Sequence, residues 1–88
     1  MITVNKINDT TFEVTVEERI TTVHKVTVPA HYYEKLTGNK VGPEELVEKS
    51  FEFLLEREPN TSILRSFELS VIGRYFPEYE GIIKNMIL

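Results

Sequence analysis

The amino-acid sequence predicts an α+β fold: an N-terminal three-stranded antiparallel β meander packed on a central helix, followed by short C-terminal helices. Three observations predict it. Residues 1–28 are rich in Thr and Val and alternate apolar with polar, the period of a half-buried strand. Residues 43–58 combine a helix start signal, an apolar stripe at helical spacing and a terminating proline. After Pro59 the chain is broken again at Pro77, and its apolar residues recur at helical intervals. The expected layout is one domain over residues 1–88, with the meander at 1–28, a short helix at 29–37, the central helix at 43–58 and short helices at 60–88.

The strands come first. Ile2, Val4 and Ile7 mark the first, and Asn8-Asp9-Thr10 is a turn cluster. Phe12, Val14 and Val16 alternate with Glu13, Thr15 and Glu17, as in a strand with one face wet. The next reversal falls at Glu18-Arg19-Ile20-Thr21, which holds no Gly, Asn or Pro. Residues 12–28 therefore read either as two strands or as one long bent strand. From Thr22 to Val28, His24, Val26 and Val28 share the inner face.

Pro29 ends the strand and opens a short helix through His31, Tyr32, Tyr33 and Leu36, with Gly38 beyond its last turn. The central helix is marked several times over. Pro43 suits the first helical position, Glu44 and Glu45 complement the positive end of the macrodipole, and Val41 with Leu46 form a hydrophobic staple. Glu45 and Lys49 are spaced as an i,i+4 ion pair. Leu46, Val47, Ser50, Phe51, Phe53, Leu54 and Leu55 form a stripe too wide for a three-stranded sheet alone to cover. Pro59 stops the helix near Arg57. Beyond it, Asn60 is placed to cap a turn carrying Ile63 and Leu64, and Ser70 a helix carrying Val71, Ile72, Tyr75 and Phe76. Tyr79, Ile82, Ile83, Met86 and Ile87 recur at spacings of three and one, an apolar stripe that must pack on its own domain or on a partner.

Composition narrows the function classes. A net charge of −4 opposes a general nucleic-acid or anionic-membrane binder, since both need a basic surface. The absence of cysteine excludes disulfides, a thiol nucleophile and thiolate-ligated metals. No apolar run approaches membrane-spanning length, and Met1–Lys6 reads as a strand rather than a secretory leader, so a soluble cytoplasmic protein is expected.

Several segments together carry a resemblance: Thr22–Pro29, Pro43–Val47, Phe53–Pro59, Ser62–Phe67 and Arg74–Tyr79. In these the chain resembles a group of small prokaryotic proteins of uncharacterised activity. The resemblance implies a prokaryotic cytosolic protein and supplies no catalytic residues.

The chemistry-bearing residues are few. His24 and His31 are the only histidines; with Tyr33 they form a candidate polar site. On the inner face of its strand, His24 reads as a core or sheet-edge imidazole with a hydrogen-bond partner. A metal would need a third ligand, Glu34 being the nearest carboxylate, and no His-Glu-x-x-His spacing supports one. No phosphate loop or nucleophile elbow is present, so no catalytic residue, cofactor or metal is assigned. Arg65 and Arg74 flank a stretch that mimics a helix-turn-helix, which with Lys25 makes a nucleic-acid-binding regulator the rival reading. The reading favoured by the sequence is a non-catalytic protein-interaction or regulatory domain, as a homodimer or a subunit. Its surface would be Tyr79, Ile82, Ile83, Met86 and Ile87. A small-ligand binder or enzyme around His24, His31 and Tyr33 is the third.

Overall fold

Alternation in the first third of the chain produces the sheet. In the computed structural model, which describes residues 1 to 87, β1 (Ile2–Lys6), β2 (Thr11–Glu17) and β3 (Thr21–Thr27) form an antiparallel meander. Leu88, the end of the expected helical segment, lies outside the described residues. The register puts Val4 opposite Val14, Val14 opposite His24, and Phe12 opposite Val26. Phe12, Val14, Val16, His24 and Val26 are fully buried on that face, while Glu13, Thr21, Val23 and Lys25 lie exposed on the other.

The structure decides between the two readings of residues 12–28: they are two strands. The reversal at Glu18–Ile20 has no local turn residue because a distant one closes it. The Asn60 amide donates to the Ile20 carbonyl at 2.7 Å and to Thr22 Oγ1 at 2.9 Å. Asn60 is therefore no helix cap; its own 3₁₀ turn, Asn60–Ser62, has no side-chain cap. The first turn is local, with the Asn8 Oδ1 accepting from the Thr10 amide at 3.0 Å. Ile7 falls outside the strand and is exposed.

A fourth strand was not expected. Segment 60–88 is not wholly helical: β4 (Ser66–Glu68) runs parallel to β3, with Val26 opposite Phe67, giving a mixed sheet of order β1-β2-β3-β4. The Lys25 amide donates to the Arg65 carbonyl at 2.8 Å. Three residues are too short to display a period of two, so no pattern announced it. The first half of the helix-turn-helix mimic is thus a strand. Beyond it, a 3₁₀ turn (Leu69–Val71) leads into α3 (Ile72–Tyr75), and the Ser70 side chain caps nothing.

The helices follow their signals. In the order of the chain, α1 (Ala30–Thr37) starts after Pro29 and ends on Gly38, whose φ of 59° is the left-handed geometry glycine tolerates. α2 (Pro43–Leu55) begins with Pro43 at its first turn and ends a little before the expected Arg57. There the chain tightens, the Arg57 amide donating to the Leu54 carbonyl at 2.9 Å. Arg57 covers that end: Nη1 donates to the Phe53 carbonyl at 3.0 Å, and the guanidinium stands 3.6 Å above the Phe53 ring. Lys49 pairs with Glu52 at 3.7 Å instead of with Glu45.

α2 is the middle layer. Successive helical residues turn by about 100°, so Phe51 and Phe53 point to opposite sides. Phe51 faces the sheet, 5.3 Å from the His24 ring and 6.1 Å from Phe67. Phe53 faces the C-terminal segment, 5.2 Å from Tyr79 and 5.9 Å from Phe76. α4 (Tyr79–Ile87) covers that second side. Ser50 Oγ donates to the Leu46 carbonyl and accepts from the Tyr79 hydroxyl, both at 2.7 Å, so the one polar residue in the stripe is satisfied.

Candidate functional site

The three residues of the candidate polar site do not present free groups to one another. His24 is fully buried, and both ring nitrogens are engaged. A carbonyl can only accept, so Nδ1–H donates to the Leu64 carbonyl at 2.7 Å. Nε2 then accepts from the Thr22 hydroxyl at 2.8 Å, and Thr22 Oγ1 accepts from Asn60. The relay Asn60–Thr22–His24–Leu64 is complete with a neutral imidazole. Burial pushes the His24 pKa below its usual 6.5, outweighing the Leu64 hydrogen bond that favours the cation; nearby Arg65 lowers it further. Tyr33 donates its hydroxyl to the Val41 carbonyl. His31 lies exposed on the first turn of α1. A neutral histidine with its basic nitrogen occupied can neither ligate a metal nor take a proton from a substrate without breaking the relay.

Of the C-terminal stripe, Tyr79 and Ile83 are fully buried in the chain's own core and are not surface residues. Ile82, Met86 and Ile87 are half-buried against the same core. α4 is also held by polar contacts: the Tyr32 hydroxyl donates to Glu80 Oε2 at 2.8 Å, and Lys35 lies 3.3 Å from Glu80 Oε1. The Tyr32 hydrogen bond, with Lys35 beside it, holds the Glu80 carboxyl below its usual range. The expected docking stripe is therefore mostly an internal contact.

An apolar groove that the sequence did not announce lies on the other side of α2's C-terminal end. It has a volume of about 260 Å³ and is floored by Leu54, Ile63 and Ile72, with Phe67 of β4 and Phe76 as walls. Leu64 and Tyr75 stand on its rim, 47% and 67% exposed, among the most exposed large apolar side chains of the protein. Glu58 is its one charged lining residue, and burial raises that carboxyl above its usual 4.5. The sequence places Tyr75 on a short helix with Val71, Ile72 and Phe76. α3 is only four residues long, and it turns Ile72 inward and Tyr75 outward.

Of the residues considered for nucleic-acid contact, Lys25 and Arg65 adjoin across the β3–β4 pairing, and Arg74 stands beside Tyr75 on α3. The open face of the sheet carries Thr3, Glu13, Thr15, Glu17 and Val23, with no aromatic ring for base stacking. Among the described residues no three His, Asp or Glu side chains cluster as metal ligands, and no helix is long and apolar enough to cross a membrane. Comparison with protein-family models, with curated proteins and with solved structures gives no match.

Proposed function

We propose that this chain is a small non-catalytic protein-interaction domain whose working surface is the groove between α2, β4 and α3. The observation that carries this reading is the contrast between two regions. The buried polar groups of the fold are committed to one another, whereas Leu64 and Tyr75 remain exposed around an apolar recess. An aromatic beside a pocket is the usual anchor of a protein contact. The resemblance to small prokaryotic proteins adds a prokaryotic cytoplasmic setting to the proposal.

Selection of displayed peptides on the immobilised full chain tests it. Peptides with apolar anchors are expected to be enriched and to shift the amide resonances of residues 62–76. Binding should be lost in Leu64→Glu and Tyr75→Glu, neither of which removes a buried side chain. Enrichment no greater than on the double variant defeats the reading.

A further inference from the structure

We propose that the partner presents a basic peptide segment, a Lys or Arg with an apolar side chain on either side, which seats across Glu58 with one anchor in each of two recesses. The inference rests on the groove being the working surface.

The second recess is the first observation. It has a volume of about 310 Å³ and is lined by Ile20, Leu55 and Pro59, with Glu18 and Arg19 of the β2–β3 reversal. Glu58 is the one residue that lines both this recess and the groove. Two apolar hollows therefore meet at a carboxylate. Ile20 is exposed at the second hollow, as Leu64 and Tyr75 are at the first. Volumes of about 260 and 310 Å³ stand at the bottom of the ~300–1,000 Å³ range of small-molecule sites, so each hollow suits a single side chain of a larger partner.

Charge is the second observation. The Glu58 backbone is fixed, its amide donating to the Leu54 carbonyl at 2.9 Å. Among the described residues its carboxylate is in no hydrogen bond or ion pair. The adjacent cation is spent elsewhere: Arg57 pairs with Glu56 at 3.5 Å and Glu78 at 3.3 Å, and lies over the Phe53 ring. In the second recess Glu18 and Arg19 offset one another, which leaves Glu58 as the uncompensated charge. A partner that closes over both hollows strips Glu58 of water and must supply a donor in its place. A Lys or Arg supplies one with the opposite charge, and the chain's net −4 favours a basic partner at longer range.

Random peptides displayed against the immobilised full chain test the chemistry of the occupant. The enriched peptides should carry Lys or Arg between apolar residues, and should shift the amide resonances of residues 18–20 as well as 62–76. Glu58→Gln should weaken their binding about three- to tenfold, and Glu58→Lys should turn the selection toward acidic peptides. Glu58 is half-buried outside the core, and unchanged melting temperatures verify that both variants fold. Peptides that occupy the groove without a basic residue, and bind Glu58→Gln as tightly, overturn the basic partner and leave the groove reading standing. Shifts confined to residues 62–76 overturn the two-recess seat. If the chain self-associates without peptide and apolar peptides of any charge displace that association, the occupant is a second copy and the basic partner is overturned. If no peptide is enriched, the groove reading falls as well.

Discussion

Replacing Ile83 by alanine tests whether α4 belongs to the chain's own core. Ile83 is fully buried one turn after Tyr79, among the residues that cover α2. The substitution removes three carbons, each worth about 0.8 kcal/mol on burial, or about 2.4 kcal/mol in transfer alone. The space left cannot close completely, and substitutions of this kind cost about 2–5 kcal/mol; about 3 kcal/mol is expected here. A chain of 88 residues has roughly 4–13 kcal/mol of total stability. The melting temperature should fall by about 12–24 °C. Ile82 is half-buried, so Ile82→Ala removes the same atoms from a wetter site and should cost about half as much. Urea unfolding of both variants at low protein concentration measures the difference. An Ile83→Ala variant within about 1 kcal/mol of wild type refutes the assignment of α4 to the core. So does an Ile82→Ala variant costing more than Ile83→Ala.

Three further outcomes follow from the buried polar groups. Asn60→Ala removes the donor to Ile20 and Thr22 and should cost about 1–3 kcal/mol in thermal or urea unfolding; a loss under about 0.5 kcal/mol refutes its role in closing the β2–β3 reversal. His24 has a lowered native pKa, so below its usual 6.5 the unfolded chain takes up a proton that the native chain refuses. Its contribution is therefore fully present above pH 6.5 and is lost as the pH falls from there through the lower native pKa; His24→Gln should flatten the stability slope in that window, and parallel slopes contradict the relay. Burial raises the Tyr79 hydroxyl above its usual 10.0, so the unfolded chain ionises first and stability falls as the pH rises past 10.0. Tyr79→Phe should lessen that alkaline loss, and an unchanged alkaline unfolding curve argues against it.

The parts of the fold that were legible in the sequence are those in which one residue's neighbours decide its state. Phe12, Val14 and Val16 alternate over seven residues of β2, and Pro43 with Glu44 marks the start of α2. The breadth of the α2 stripe foretold a second covering layer, and Phe53 against Tyr79 and Phe76 supplies it. What stayed hidden depends on pairs far apart in the chain. β4 exists because Ser66–Glu68 finds β3 some forty residues away, and the bare reversal at Glu18–Ile20 is closed by an asparagine at a similar distance. The groove was hidden for a related reason. Periodicity reports which side chains share a face, whereas exposure of Tyr75 depends on where α3 stops. The stripe from Tyr79 to Ile87 was legible as apolar, but no local signal distinguishes a helix that covers its own core from one that covers a partner's.

The exposure of Leu64 is imposed by the core, and that gives the groove a mechanical property. The Leu64 carbonyl is turned inward to His24 Nδ1, which is itself fixed by Thr22 and Asn60. With the backbone held that way, the Leu64 side chain is left 47% exposed on the rim. Phe76, packed on the edge of Phe53, anchors the opposite wall beside Tyr75. A rim ordered before contact loses little conformational entropy on binding, so a small apolar groove can hold a partner that a mobile one could not. Thr22→Val separates this ordering from the surface itself, because it removes the hydroxyl at the centre of the relay and alters no groove residue. The segment from Asn60 to Arg65 should then open more often. Hydrogen exchange at the Ile63 amide, which donates to the Asn60 carbonyl at 3.2 Å, should accelerate more than exchange in α2. Association through the groove should weaken in parallel. Faster exchange with undiminished association would show that the rim needs no such support, and that Leu64 is exposed without consequence for binding.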